Sequence, residues 1–136
     1  MNNLAKMDLQ KYCIEELYIK APITALPPAP QTQIDTNLTN HVQISKEDHK
    51  KSFRVSIQTD VNFVGLPDYI IKCKITGQFV LSEECSDQEK IKLMSHTAPF
   101  IIFGIIRDTV LNLSSKTPYF PVILPILEFT QTPTEN

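Results

Sequence analysis

The stretch His96–Phe129, HTAPFIIFGIIRDTVLNLSSKTPYFPVILPILEF, decides how the rest of the chain can fold. From Phe100 to Ile106 six of seven residues are large and apolar, with Gly104 the exception, and Val110, Leu111 and Leu113 continue the run at helical spacing. Thr97 as a cap and Pro99 inside the first turn predict a helix start there. Phe100, Phe103, Ile106 and Val110 fall on one side of that helix, and Ile101, Ile105 and Leu111 on another. Arg107, Asp108 and Asn112 are left as a thin polar edge. A helix apolar almost all round must be covered on more than one side. The run is too short to span a bilayer, which takes ~20 apolar residues. One small domain has a single sheet to lay against the helix, so the second cover is expected to be another subunit.

Ser114–Thr117 ends the helix, and PYFPVILPILEF follows as an extended apolar segment. Its prolines, Pro118, Pro121 and Pro125, forbid both a helix and a central strand.

The 136 residues suit one domain with a real core. A formal charge of −2 and a pI near 5.9 offer no basic footprint for a phosphate backbone, so nucleic acid is not an expected partner. Three cysteines without CxxC spacing, and an N-terminus lacking a signal-peptide pattern, predict a cytoplasmic protein with free thiols and no membrane insertion.

Upstream, 8–26 (DLQKYCIEELYIKAPITAL) reads as a first strand with Cys13, Leu17, Ile19, Ala21 and Ile23 on one parity and Glu16, Tyr18 and Lys20 on the other, bent at Pro22. Pro27–Pro30 opens a stiff crossover that carries Ile34 and Leu38 without an obvious strand to bury them. His41–Ser45 is a short second strand, and KEDHKK a charged loop. In the third strand, Phe53, Val55, Ile57, Thr59, Val61 and Phe63 alternate strictly with Ser52, Arg54, Ser56, Gln58, Asp60 and Asn62. One face is core and the other wet. A turn through Gly65-Leu66-Pro67-Asp68 returns into a fourth strand with Tyr69, Ile71, Cys73, Ile75, Phe79 and Leu81 on one face. A short helical piece over 86–94, capped by Ser86 with Glu89 three residues on, leads into the apolar helix. The fold class is therefore α+β: a four-stranded antiparallel sheet with one long apolar helix packed on it. A single domain over 1–130 is expected, with a disordered tail at 131–136.

Chemistry is hard to find. Three glycines with no GxGxxG or GxxxxGK exclude a nucleotide loop. His41, His49 and His96 lack metal-ligand spacing. Pairing His96 with Cys85 or Cys73 is outweighed by a surface histidine and core thiols. Arg107 and Asp108 point about 100° apart on a helix and read as its solvent or subunit edge. No catalytic residue, metal or cofactor is expected, and the chain is not read as an enzyme. What stands out is surplus apolar surface at Ile34, Leu38 and 119–129, which marks a site for other polypeptides.

Several pieces in collinear order resemble the SecB family of ATP-independent export chaperones: Leu17-Tyr18-Ile19-Lys20, then Ala29-Pro30, Gly77-Gln78-Phe79, and Pro99, Phe103 and Arg107 in the helix. Tyr119-Phe120-Pro121, Leu124-Pro125-Ile126 and Phe129 are similar to the family's FP…L.PVNF signature. The resemblance covers about Ile14–Phe129. It implies a homotetramer built as a dimer of dimers, with first strands pairing across subunits and helices sandwiched between sheets. The interface residues it implies are Leu17, Ile19, Phe100, Phe103, Gly104, Arg107 and Leu111. It also implies that unfolded or precursor polypeptide lies in apolar grooves, with Ile34, Leu38, Val42, Ile44, Phe53, Leu66, Tyr119, Phe120, Leu127 and Phe129 as client-binding residues.

Three departures from the family stand out. The family's final helix and its SecA-binding tail are expected to be absent, because little follows Phe129. Ala21, Ala25 and Lys72 stand where the family offers acidic residues to the motor SecA, so that partnership is not expected. Phe103-Gly104-Ile105 replaces the family's Phe-Pro-Tyr. Three functions follow in order: a client-holding chaperone, general or dedicated to one client such as an antitoxin in a toxin–antitoxin–chaperone system; an oligomeric adaptor without clients; and a small-molecule site requiring His96, Arg107 and Asp108 in one cavity.

Overall fold

Strict alternation in 52–63 produces a strand, β3 (Ser52–Phe63), whose odd-numbered side chains are all buried and whose even-numbered ones are half-buried or exposed. The computed structural model describes residues 6–21, 36–47, 51–117, 121–127, 129 and 134–135. Around β3 stand β1 (Met7–Lys20), β2 (Thr36–Lys46) and β4 (Leu66–Leu81), in the order β1-β4-β3-β2 and antiparallel throughout. A two-residue β5 (Thr134–Glu135) adds in parallel beyond β2, pairing with Ser45 and Lys46. These two residues fall in the segment expected to be an unstructured tail.

The β3–β4 hairpin closes through Val64-Gly65, and Gly65 takes φ 85°, a left-handed conformation open to it because it has no Cβ. On β4, Tyr69, Ile71, Cys73, Ile75 and Phe79 are fully buried, as alternation predicts. Phe53 stacks on Phe79 at 5.2 Å and Phe63 on Tyr69 at 4.6 Å, so aromatic pairs close both ends of the hairpin.

Four expectations need correction. β1 carries register shifts between Leu9 and Lys11 and between Ile14 and Glu16. Each extra residue reverses the side-chain parity. Cys13 consequently lies opposite Thr76 on the polar face, and Tyr12 and Ile14 join Leu17 and Ile19 on the helix-facing side. Second, β2 begins at Thr36 rather than His41, so Leu38 is a strand residue opposite Val61, not part of a crossover. Third, Thr97 does not cap a helix. α1 (Asp87–Lys92) continues through a π-turn at Leu93–Thr97 into α2 (Ala98–Ser114), and Thr97 is itself helical with no side-chain cap bond. The wide turn, in which the Ala98 N–H reaches the Leu93 carbonyl, sits directly before Pro99, whose ring and missing N–H strain a regular helix. Fourth, the first strand ends at Lys20, and Ala21 follows it outside the strand. The bend at Pro22, the crossover from Pro27 and Ile34 lie outside the described residues.

Ser86 forms the expected capping box with Glu89. α2 lies across β3 and β4, burying Ile102, Phe103, Ile106 and Val110. Burial of each such side chain is worth ~1.5–3 kcal/mol. Phe100 and Leu111, on its other sides, remain 50% and 36% exposed.

Candidate functional site

After α2 the chain turns at 115–117 and returns along the helix as an extended segment. Pro121–Leu127 has neither helical nor strand pairing, as three prolines in twelve residues require. Side chains and helix groups hold it instead. The Val122 N–H donates to Ser114 Oγ at 2.8 Å, Arg107 Nε donates to the Leu124 carbonyl at 3.0 Å, and His96 Nδ1 hydrogen-bonds the Phe129 carbonyl. Phe129 packs its ring edge-on against Phe103 at 5.5 Å. The anchors descend the helix as the segment advances. Eighteen helical residues span about 27 Å and seven extended ones about 23 Å, so the two run alongside each other in opposite senses.

Alternation within the segment then sorts its side chains. Val122 and Leu124 are buried against the core, whereas Ile123 is 76% exposed and Ile126 68%. Between the segment and the sheet lies an open cavity of about 300 Å³ lined by Thr36 and Leu38 of β2, Phe63 of β3, and Pro121–Pro125. On the helix side a smaller cavity of about 110 Å³ is bounded by Gly104, Arg107, Asp108, Leu111, Ile123 and Leu124. Ile123 borders both. A third cavity, about 430 Å³, opens at the other end of the segment among Lys92, His96, Thr97, Phe100 and Phe129. All three hollows border the returning segment.

Of the residues the sequence put forward for clients, Leu38 lines the first cavity and Phe129 the third. Val42, Leu66 and Leu127 are half-buried against the core, while Ile44 and Phe53 are fully buried within it. Tyr119 and Phe120 lie outside the described residues. Among the residues put forward for subunit contact, Leu17, Phe100 and Leu111 are exposed, and Ile19, Gly104 and Arg107 half-buried. Phe103 is buried inside the protomer at 2% exposure, where it meets Phe129. Sequence reasoning missed Phe63, which read only as core, and did not single out Ile123. The signal for Ile123 was present: with Val122 and Leu124 inward, alternation turns it outward.

The alternatives that needed chemistry are not assembled. His96 is engaged with Phe129, while the Cys85 thiol donates to the Lys6 carbonyl and Cys73 sits in the core. Arg107 and Asp108 do share a cavity, but His96 lines a different one. Among the described residues no cluster of His, Cys, Asp or Glu could hold a metal, and no helix is long and apolar enough to cross a membrane.

Burial raises the Cys73 thiol to about 11. On the wet face of the sheet, hydrogen bonds from Thr76 and then Lys74 hold the Glu15 carboxyl below its ordinary range.

No family model matches the chain. It is 23% identical over 79 residues to the protein-export protein SecB of Anaplasma marginale strain Florida, covering 57% of this chain and 45% of that one. It is 28% identical over 82 residues to protein-export protein SecB of Anaplasma phagocytophilum, covering 57% and 52%. The chain thus spans about half the length of the curated relatives it matches. Among solved structures it is similar to the Mycobacterium tuberculosis SecB-like chaperone Rv1957, determined in complex with a ChAD peptide from the HigA1 antitoxin. The TM-score is 0.69 at 15% identity, covering 90% of this chain and 91% of that chain. Both comparisons agree with the resemblance carried by the sequence motifs, and the fold is SecB-like.

Proposed function

We propose that this chain is an ATP-independent chaperone that holds non-native polypeptide along the groove between β2 and the returning segment. The observation that carries the reading is the open cavity walled by Leu38, Phe63 and Pro121–Pro125, with Ile123 exposed on its rim. An extended client laying apolar side chains there gains roughly 25 cal/mol per Å² of apolar area buried, offset by ordering costs. Burial is non-directional, so such a site discriminates weakly among sequences. No catalytic group is required, and the chain is proposed not to be an enzyme.

Lining of the hollows supports Leu38 and Phe129 as client-binding residues and favours adding Phe63 and Ile123, while Val42, Leu66 and Leu127, half-buried beside the core, and Ile34, Tyr119 and Phe120 remain proposed from the sequence. A client dedicated to this chain, such as an antitoxin, is supported by the similar chaperone solved with an antitoxin peptide. Precursors for export are supported by the curated relatives. SecA is not included, because Ala21 and the exposed Lys72 offer it no carboxylates.

A homotetramer built through the β1 edge and the exposed side of α2 completes the proposal, as does a cytoplasmic location, where Cys13, Cys73 and Cys85 stay reduced.

The test is light scattering from a chemically unfolded substrate diluted with stoichiometric amounts of the protein, without ATP. Aggregation should be delayed, and Leu38→Asp or Ile123→Asp should shorten the delay. Unimpaired holding by both variants would return the segment to a purely structural role, and no delay with any substrate would reject the chaperone reading.

A further inference from the structure

We infer that Asn40 gives the holding site a specificity: its carboxamide N–H, turned away from β3 by Thr59, selects clients that carry one hydrogen-bond acceptor side chain within an otherwise apolar segment. This rests on the client-holding reading and adds what that site selects.

Along the core side of β2, Leu38 lies opposite Val61, Asn40 opposite Thr59, Val42 opposite Ile57 and Ile44 opposite Val55. Ile44 is fully buried, whereas Leu38, Asn40 and Val42 are half-buried. Alternate residues of a strand stand about 7 Å apart on one face. Asn40 is therefore the immediate neighbour of Leu38, which lines the hollow formed with Phe63 and Pro121–Pro125. A client that covers Leu38 and Val42 also covers the one polar side chain between them.

The orientation of that side chain is fixed from within the core. Thr59 has 0% exposure and sits between Asn40 on β2 and Cys73 on β4. Its hydroxyl donates to Asn40 Oδ1 at 2.7 Å. A buried hydroxyl hydrogen needs an acceptor, and of the two ends of a carboxamide only the oxygen can accept. The oxygen is thus committed to β3, and the NH2 group on the other branch of the planar amide is directed away from it. Among the described residues that group has no acceptor. Stability gives no reason for the arrangement, because apolar residues of similar shape in both places would leave nothing polar to satisfy. An apolar client residue laid over the NH2 group would strip its water and return nothing, whereas an ether, hydroxyl or carbonyl oxygen would replace that water. A site built to hydrogen-bond one group rejects the isostere lacking it more strongly than an apolar pocket sorts side chains by size.

The probes are the fluorescently labelled peptide acetyl-Lys-Nva-Leu-Nva-Phe-Nva-Leu-Nva-Lys-amide, where Nva is norvaline, and four relatives in which one norvaline in turn becomes O-methylserine. That residue is the isostere of norvaline, with an ether oxygen that accepts and cannot donate. Binding to the full chain is read by anisotropy. At least one relative should bind about tenfold more tightly than the all-norvaline peptide, the worth of one hydrogen bond. In the double variant Asn40→Leu/Thr59→Val, no relative should bind more tightly than the all-norvaline peptide. Thr59→Val alone frees the carboxamide to turn and should reduce the preference, a ratio that a loss of stability by itself would not move. Equal binding of all five peptides by the parent chain, or a preference that survives in the double variant, would overturn the inference and leave the holding reading intact. Binding of no peptide would overturn it too, and the aggregation assay then separates the two readings: a retained delay keeps the holding reading, and no delay removes both.

Discussion

The fully buried hydroxyl of Ser114 accepts the Val122 N–H at 2.8 Å and reaches the Leu111 carbonyl at 3.2 Å, joining the end of α2 to the start of the returning segment. Removing it strands a buried donor, which costs ~1–3 kcal/mol. Ser114→Ala should therefore lower the unfolding free energy obtained from urea titration by that much and loosen the groove wall. Holding activity should fall more than stability alone accounts for. A variant as stable as the parent would show that the N–H finds another acceptor.

Gly77 lies against Ile102, so a Cβ there collides with Ile102 Cδ1 and sits 3.2 Å from Leu9 Cδ1 and 3.3 Å from Phe79 Cε2. Ile102 is fully buried and has little room to yield. Gly77→Ala should destabilise by ~1–3 kcal/mol through overpacking. Ile102→Val removes the colliding methyl, so the double variant should recover part of the loss, a coupling measured by the four-way cycle. Additive losses would place the strain elsewhere.

Acid should weaken the fold modestly. The Glu89 carboxyl is held below its ordinary value of 4.5 by its hydrogen bond from Lys6, and Glu83 by that from Lys51 at 2.8 Å. A depressed carboxylate contributes stability that is present above the unfolded pKa and is lost as pH falls through the folded one. Urea midpoints should be level at neutral pH and decline below about 4.5, the ordinary value for these groups. Both pairs are exposed, so the effect should shrink with added salt. Glu89→Gln should flatten part of the decline.

Alkali acts through Cys73. Its thiol is raised from 9.0 to about 11 by burial, so its contribution is complete below 9 and disappears as pH rises through 11. Iodoacetamide at pH 8 should modify exposed Cys13 rapidly and Cys73 only as fast as the protein unfolds. Equal reaction of both in the native state would contradict the packing.

Assembly should depend on apolar groups that the protomer leaves uncovered. Leu17 is 43% exposed and Phe100 50% exposed. Leu17→Asp and Phe100→Asp should each lower the mass measured in solution by light scattering, with little change in the circular dichroism of the protomer. An unchanged mass in both would rule out the β1 edge and the outer side of α2 as contacts.

Much of the sheet was legible because its cause is local. Alternation in Ser52–Phe63 and Tyr69–Leu81 states which face is buried without reference to anything distant, and Ser86 with Glu89 announces a helix start within four residues. β1 was misread for the opposite reason: a register shift is a relation between two strands, and no property of Glu15 alone reveals that it will be the extra residue between the Ile14–Ile75 and Glu16–Lys74 pairs. Thr97 has the composition of a cap, but capping requires the preceding chain to be non-helical. The helix already running from Asp87 denies it that role.

By itself the sequence determined the fold class, the antiparallel hairpin, and the presence of apolar residues in the proline-punctuated stretch that neither a helix nor a central strand could absorb. Only the tertiary structure decided where those residues meet. Leu38, Phe63 and Ile123 are far apart in the chain, and they share one hollow because β2 pairs beside β3 and Ser114 and Arg107 draw the returning segment back along α2. Periodicity reports which way a side chain points, whereas a groove depends on which elements become neighbours, and that follows from packing the whole core at once.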